Sequence, residues 1–343
     1  MNFIVRRGRI ENLLRRSWTG SPHASLLPLS AAYGAITDLR NVVWSLGLML
    51  PIRASIPIIS VGGLTVGGSG KTPIAATLAR HLADSGSRVA ILTAVPDDEA
   101  ALHAKWNPDI PVLTGRRRGD LARQASDRGA TVAVMDSGFQ HRSLERDLDI
   151  IAISADDAGN RLRLPAGPFR ERWAAIGRAD AVIVVRRQAS GEASTHLARA
   201  LSHAFPNLHI AMVRISPSSL APVSEAAHDV KTPAPNVATA GVMWPDHFFA
   251  SVRRLGLQPK HCLALPDHVV FDEQIVASIV ELAGARGVVC TGKDAVKLSS
   301  VLPIAIPLWQ VIEQVEWEEG GGRLLEAATR VAGLTRDSGT QLP

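Results

Sequence analysis

One glycine-rich stretch constrains the fold of this chain more than any other feature. Residues 61–73 read VGGLTVGGSGKTP and follow an apolar, β-branched run, IPIIS, at 56–60. The residues after the stretch include Ile74, Leu78 and Leu82, which recur at helical spacing. A buried strand, a glycine loop and a helix in this order predict a phosphate-binding loop, because backbone N–H groups converge on an anion only where no side chain intervenes.

The spacing within the loop predicts a role for its residues. The predicted nucleotide-binding set is Thr65, Val66, Gly67, Gly68, Ser69, Gly70, Lys71 and Thr72. Lys71 is placed to reach the β- and γ-phosphates of a nucleotide, and Thr72 to present a hydroxyl to Mg²⁺. The strict P-loop pattern has glycine where this chain has Thr65. The alternative interpretation of the stretch is a merely flexible turn.

A P-loop needs a second metal anchor, usually an acid at the end of a neighbouring apolar strand. Asp136 closes the run TVAVMD at 131–136 and has that position. Its carboxylate could hold Mg²⁺ directly or through water. The alternative is an aspartate that simply caps the following turn.

Short continuous apolar runs alternate with polar or helical segments after the P-loop. They are RVAILT at 88–93, TVAVMD at 131–136, LDIIAIS at 148–154 and ADAVIVV at 179–185. Such runs are typical of strands buried on both faces, so the sequence predicts an α/β fold with a P-loop NTPase-like core and a mostly parallel sheet. We expect this core at 51–215 and a smaller C-terminal α/β domain at 216–335.

The first fifty residues predict a membrane-associating helical segment, 1–50. Five arginines precede an apolar stretch at 29–50, namely Arg6, Arg7, Arg9, Arg15 and Arg16. The uninterrupted apolar run from Val42 is too short for a bilayer span, which needs about 20 residues. An amphipathic helix in the headgroup region fits, with Trp18, Tyr33 and Trp44 at the interface. A helix that packs on the protein core is the alternative.

The charge and the cysteine content limit which binding partners and which cellular compartment fit this chain. The chain of 343 residues has a formal net charge of +5, with basic residues clustered near the N-terminus and in GRRRGD at 115–120. Phosphate or an anionic membrane surface fits this pattern, and nucleic acid does not, because no nucleic-acid-binding motif accompanies it. Cys262 and Cys290 are too few for a disulfide framework, so a reducing cytosol is expected.

Two further motifs make the signal more specific, DSGFQH at 136–141 and LPAGPFRE at 164–171. Together with the P-loop they resemble, in order and spacing, the tetraacyldisaccharide 4′-kinases (lipid A 4′-kinases), where VGNLTVGGTGKTP, DDGFQH and LPAGPLRE are usual. The likeness extends to LPLSAAYGAITDLR at 27–40, AGVMWPDHFF at 240–249, LPDH at 265–268 and TGKDAVKL at 291–298. It therefore covers nearly the whole chain.

The resemblance implies an ATP- and Mg²⁺-dependent kinase that phosphorylates the 4′-hydroxyl of a tetraacyldisaccharide 1-phosphate in lipid A biosynthesis. It also implies a peripheral protein at the cytoplasmic face of the bacterial inner membrane. By resemblance, Lys71 neutralises phosphate charge, and Thr72, Asp136 and Glu171 surround the metal. His268 matches a family histidine that assists a catalytic carboxylate. From the residues alone, His268 is either part of a loop site or an ordinary surface histidine.

The chain departs from the family pattern on the acceptor side. Ser137 replaces the second aspartate of DDG, and Arg116 and Arg117 stand where the family has an acid before an arginine. A guanidinium cannot act as a base. Asp120, four residues beyond Arg116, would share a helical face with it and is a third candidate proton acceptor beside His268 and solvent. The alternative function is a catalytically impaired, membrane-associated nucleotide-binding paralogue.

Overall fold

A computed structural model describes residues 2–5, 9–94, 98–156 and 160–333 of the chain. The strands are β1 (Asn2–Val5), β2 (Ile58–Gly62), β3 (Val89–Thr93), β4 (Val112–Thr114), β5 (Val132–Asp136), β6 (Leu148–Ser154), β7 (Ala181–Arg186), β8 (His209–Pro222), β9 (Val237–Ala240), β10 (His261–Ala264), β11 (Val288–Cys290) and β12 (Leu308–Trp317). The helices are α1 (Arg9–Thr19), α2 (Leu27–Ser45), α3 (Lys71–Asp84), α4 (Asp98–Trp106), α5 (Arg118–Asp127), α6 (Gly191–Ala204), α7 (Glu225–His228), α8 (Pro245–Arg254), α9 (Glu273–Ala283), α10 (Gly292–Val301) and α11 (Gly321–Ala332). Among these residues, no helix has the length and apolar character to cross a bilayer.

The chain forms two compact units. The first, called here the P-loop unit, comprises the described residues of Leu14–Arg214 and Val315–Pro343. The second unit comprises those of Met1–Leu13 and Ile215–Gln314. This division differs from the expected one at both ends of the chain. β1 pairs with β10 of the second unit, and α11 returns to pack against α3 of the P-loop unit, so pairings distant in sequence decide these two boundaries.

The P-loop unit is built on a parallel sheet with the strand order β8, β7, β6, β2, β5, β3, β4. All five residues of β2, of β3 and of β5 are buried, as their continuous apolar runs require. The mostly parallel α/β fold predicted from the sequence is confirmed. In the pairing of β2 with β5, Val61 lies opposite Asp136, so the aspartate ends a strand directly beside the one that enters the P-loop.

The strands of the second unit pair in parallel in the order β1, β10, β9, β11, β12. Its strands carry apolar side chains into two buried clusters. One cluster includes Ile279 and Leu298, and the other includes Phe249 and Trp309. This is the α/β architecture expected for the C-terminal part of the chain.

Helix α1 packs against the LPAGPFRE segment at 164–171. The Ser17 hydroxyl donates to the Ala166 carbonyl at 2.8 Å, and the Trp18 indole N–H donates to the Pro165 carbonyl at 2.8 Å. Trp18 is 5% exposed. The expectation of an interfacial Trp18 is therefore wrong, because this indole finds its hydrogen-bond acceptor inside the protein. Arg6 and Arg7 lie outside the described residues.

Helix α2 has two different sides. On one side, the Ser30 hydroxyl donates to the Arg163 carbonyl at 2.7 Å, and Asp38 pairs with the Arg163 guanidinium at 2.8 Å. The exposed large apolar side chains of α2 and the residues after it are Leu27, Leu29, Ile36, Leu39, Val42, Leu46, Leu48, Met49, Leu50 and Ile52, called here the α2 apolar surface. So many exposed apolar groups in one segment mark an interaction surface.

Candidate functional site

The glycine-rich loop has the geometry of a phosphate cradle. β2 enters it, and α3 begins at Lys71 with Gly70 as its N-cap. Gly67, Gly68 and Gly70 have φ values of 68°, 73° and 79°, which are left-handed conformations that favour glycine. The first N–H groups of a helix point out of its N-terminus, where they attract anions. No acidic side chain opposes them in the first turn of α3.

Thr65 does not need to be glycine in this loop. It forms an antiparallel bridge with Phe169, and the next residue, Val66, donates its N–H to the Pro168 carbonyl at 3.0 Å. Among the described residues, the non-glycine residues with positive φ are Ser137 and His268, so the backbone of Thr65 is ordinary. The departure from the strict pattern therefore falls where the loop is paired with LPAGPFRE.

Lys71, Thr72 and Asp136 come together at the carboxyl end of the sheet in the P-loop unit. The Lys71 ammonium donates to the Ser69 hydroxyl at 3.1 Å. Burial alone would raise the pKa of Asp136, but the hydrogen bond from His103, the charge of Lys71 and the Thr72 hydroxyl together lower it. Asp136 is therefore an ionised carboxylate although it is 1% exposed.

The same residues fit a magnesium ion. The Thr72 hydroxyl lies in hydrogen-bonding contact with the Asp136 carboxylate, beside the N-terminus of α3. Hydroxyl and carboxylate oxygens are the ligands Mg²⁺ prefers, and the ion takes the rest of its shell from phosphates and water. Thr72 and Asp136 therefore offer oxygen atoms of the kind that bind Mg²⁺, and their metal-binding roles stay predictions.

Glu171, the third predicted metal ligand, is held by three side chains of the P-loop unit. Its Oε2 accepts from Arg178 at 2.8 Å and from Asn41 of α2 at 2.6 Å, and its Oε1 accepts from Gln140 at 3.2 Å. Burial would raise the pKa of Glu171, but these donors lower it. Gln140 also donates to the Gly63 carbonyl at 3.0 Å, so the cluster connects α2 to the start of the loop. A metal contact would compete with these bonds, and the role stays a prediction.

Arg118 is a site residue that the sequence did not single out. Of the arginines at 116–118, Arg116 and Arg117 are exposed, whereas Arg118, the first residue of α5, is 2% exposed. Its Nη1 donates to the carbonyls of Thr93 and Gly115. Its Nε and Nη2 are buried and have no partner within the described part of the chain. The pKa of Arg118 is lowered by burial, against the nearby charge of Asp136, yet a guanidinium stays protonated.

Asp120 does not occupy the place expected of it. Helix α5 begins only at Arg118, so Arg116 is not helical and the two residues do not share a helical face. Asp120 is exposed and lies two positions from the buried Arg118, which puts it on a different side of the helix. The argument for Asp120 as a proton acceptor therefore fails, because the side chain that points inward from this segment is Arg118.

His268 lies in the second unit, where three sequence motifs meet. The Asp294 carboxylate accepts the N–H of Gly241 at 2.9 Å, and the Lys297 ammonium donates to the Val269 carbonyl at 3.1 Å. A Cβ on Gly241 would lie 2.5 Å from Val269, so only glycine allows this packing. The turn so held carries His268, which is exposed and has a φ of 56°. Its catalytic role stays a prediction.

Comparison with known proteins shows which family this chain belongs to. The model of one family, described as Tetraacyldisaccharide-1-P 4'-kinase, matches residues 22–94 and 96–329. The chain belongs to this family. A tetraacyldisaccharide 4'-kinase from Anaeromyxobacter sp. (strain K) is 33% identical over 341 residues, which cover 90% of each protein. One from Acidovorax ebreus (strain TPSY) is 31% identical over 86% of this chain and 89% of its own length.

A solved structure shows the same fold. It is that of LpxK from Aquifex aeolicus in complex with ATP, which covers 90% of this chain and 98% of its own with a TM-score of 0.68 and 24% identity. The family match confirms the resemblance to the tetraacyldisaccharide 4'-kinases that the sequence motifs indicated, and the solved structure confirms the fold.

The DSGFQH segment of this tetraacyldisaccharide 4'-kinase family member approaches the P-loop strand closely. A Cβ on Gly62 would lie 2.3 Å from the Cβ of Phe139, so glycine is required at the strand end. Ser137 has a φ of 59°, an uncommon conformation outside glycine, and its hydroxyl donates to Oδ1 of Asp136 at 3.3 Å. A neutral donor therefore stands beside the predicted metal ligand, where the family pattern has a second acid.

His141, the last residue of this segment, lies among cations. Burial, together with the charges of Arg118, Arg40, Arg170 and Arg146, lowers the pKa of His141. Below about pH 6.5, the ordinary pKa of histidine, the unfolded chain therefore binds a proton that the folded chain does not. We expect this histidine to reduce the free energy of unfolding as the pH falls below about 6.5, and to contribute no pH dependence above it.

Urea unfolding of the wild type and of His141→Gln at about pH 7.5 and about pH 5.5 checks this expectation. The loss of stability between the two pH values should be smaller in the variant. An equal loss in both proteins would contradict the assigned pKa direction, whatever the carboxylates contribute, because the carboxylates are common to both.

Proposed function

We propose that this protein is an ATP-dependent kinase that phosphorylates the 4′-hydroxyl of a tetraacyldisaccharide 1-phosphate in lipid A biosynthesis. The observation that carries the proposal is the P-loop with Lys71, Thr72 and Asp136 at one end of the sheet, in a chain that belongs to the tetraacyldisaccharide 4'-kinase family.

The side chains around the loop supply what phosphoryl transfer needs. The reaction depends mainly on positioning and on neutralising the charge of the transferred group. The backbone of residues 65–72 would cradle the phosphates, and Lys71 would place its ammonium on their outer oxygens. Arg118 adds a buried cation close to Asp136. A magnesium ion held by Thr72 and Asp136 would neutralise the β- and γ-phosphate oxygens.

A product assay tests the proposed reaction. The full-length protein in lipid vesicles is incubated with Mg²⁺, ATP and tetraacyldisaccharide 1-phosphate, with a reaction lacking enzyme as the control. A bisphosphorylated lipid is the expected product. No product from a protein that binds ATP normally would refute the kinase and identify a nucleotide-binding protein without acceptor chemistry.

Asp136→Asn tests the proposed magnesium site. The amide keeps the size of the side chain but loses the negative charge that holds the cation. We expect the affinity for Mg²⁺·ATP to fall about 10- to 100-fold, whereas the affinity for ATP in EDTA should not fall. Equilibrium titration of a fluorescent ATP analogue measures both. Equal losses under the two conditions would remove Asp136 from the metal site.

We further propose that the α2 apolar surface docks on an anionic membrane, as a peripheral contact at the cytoplasmic face of the inner membrane. One side of α2 is bonded to the P-loop unit through Ser30, Asp38 and Asn41, which leaves the other side for lipid. An acceptor whose acyl chains stay in the bilayer presents its 4′-hydroxyl at headgroup height. A kinase docked there reaches the hydroxyl without extracting the lipid.

Substituting the exposed apolar residues tests this docking better than deleting 1–50, because that deletion also removes the buried Trp18 and the Asn41 bond to Glu171. We expect the triple variant Ile36→Ser, Leu39→Ser, Leu46→Ser to lose about 1 kcal/mol per site, or about 100-fold in binding to anionic vesicles. High salt should weaken wild-type binding without abolishing it.

The matched control is Val270→Ser, since Val270 is 79% exposed but lies in the second unit. It should sediment with vesicles like the wild type. Full retention of vesicle binding by the folded triple variant would show that α2 is not the docking surface.

A further inference from the structure

A buried histidine contacts the carboxylate at the end of β5. Nε2 of His103 lies 2.9 Å from Oδ2 of Asp136, and the two side chains are 0% and 1% exposed. His103 comes from α4 and belongs to neither the P-loop nor the DSGFQH motif. In the sequence it looks like an ordinary member of the buried face of α4, beside Ala100 and Leu102.

The hydrogen of this contact can be assigned. A carboxylate oxygen accepts hydrogen bonds, so at 2.9 Å the ring nitrogen Nε2 is the donor to Oδ2. Nδ1 of the same ring is buried and has no partner among the residues that the structure describes. Burying the unpaired Nδ1 costs free energy of folding that an apolar side chain at this position would not cost. The bond from Nε2 to Asp136 is the contact that a histidine provides here and an apolar residue cannot.

His103 is also held firmly in place. Asn107, which follows α4, makes two hydrogen bonds. Its backbone N–H donates to the His103 carbonyl at 2.9 Å, and its side-chain amide donates to the Ala76 carbonyl of α3 at 3.2 Å. The Trp106 ring meets the His103 ring edge-on, with 6.3 Å between centroids. Through Asn107, the backbone of His103 is therefore joined to α3, the helix whose N-terminus forms the proposed nucleotide site.

We infer that His103 is a positioning residue for the magnesium ligand Asp136: it holds Oδ2, so that Oδ1, which accepts the long 3.3 Å bond from Ser137, is the oxygen offered to the cation. This rests on the magnesium site of the proposed function. A carboxylate can rotate and offer either of its two oxygens to a cation. A donor fixed on one oxygen stops this rotation, so that the other oxygen is the one that binds the cation. Partners of this kind behind a metal ligand typically contribute 10- to 100-fold to metal affinity.

The test compares nucleotide affinity with and without the metal. For the full-length wild type and each variant, a fluorescent ATP analogue is titrated in Mg²⁺ and in EDTA, and the ratio of the two dissociation constants is the readout. His103→Leu removes the donor and should reduce the ratio at least about 10-fold. His103→Gln places an amide N–H near the position of Nε2 and should restore much of it. Trp106→Leu removes the ring contact alone and should keep the wild-type ratio.

The outcomes separate the inference from the proposed function. If the wild type binds ATP equally with and without Mg²⁺, the proposed metal site fails. If the wild type depends on Mg²⁺ and a folded His103→Leu keeps the same ratio, only the role of His103 is overturned. Should His103→Leu not fold, His103→Gln and His103→Asn decide, because the asparagine amide is one methylene too short to reach Asp136. Equal ratios in this pair would refute the inference.

Discussion

Lys71→Ala should lower kcat for phosphoryl transfer about 10²- to 10³-fold while the fold is retained. In the proposed reaction the ammonium neutralises the β- and γ-phosphates, and removing a single charge-stabilising donor typically costs about 10²- to 10³-fold. The loop itself is shaped by Gly67, Gly68 and Gly70, whose left-handed backbones do not depend on the lysine side chain.

Initial rates at saturating ATP, together with a thermal unfolding midpoint, measure both parts of this expectation. Lys260→Ala is the matched control, because Lys260 is exposed and lies in the second unit. It should keep the wild-type rate. A Lys71→Ala enzyme that keeps the wild-type rate at saturating ATP would show that residues 61–73 are not the working P-loop.

Arg118→Met should lower kcat about 10²- to 10³-fold with little effect on stability. Arg118 has a buried guanidinium close to Asp136, and its Nε and Nη2 lack a partner within the described ranges, so we expect it to bind an anion. Arginines that contact the transferred phosphoryl group contribute on this scale or more. Methionine fills much of the same volume, and the loss of the bonds to the Thr93 and Gly115 carbonyls is offset by removing a buried, partly unpaired charge.

Arg117→Met is the matched control, since it removes the same charge from the adjacent, exposed position. Arg118→Lys should fall between Arg118→Met and the wild type, because an ammonium keeps the charge but lacks the planar fork. If the folded Arg118→Met enzyme turns over like Arg117→Met, then Arg118 is a structural residue and the transferred phosphoryl group lies elsewhere.

The sequence alone determined those features that depend on a few consecutive residues. Glycines at 67, 68 and 70 are required because the backbone is left-handed there, and a left-handed turn between strand and helix is a property of a few consecutive residues. The parallel sheet was predictable because strands buried on both faces must be apolar throughout. The position of Asp136 beside the loop followed from its place at the end of such a strand.

The tertiary structure decided which of several equivalent side chains faces the site. The sequence contains arginines at 116, 117 and 118, and only the start of α5 at Arg118 turns the third one inward. The indole of Trp18 found an acceptor within the protein, whereas its sequence neighbourhood fitted a membrane interface. The contact of His103 with Asp136 joins residues 33 positions apart on separate elements, and helical periodicity shows that a residue is buried but not what it is buried against.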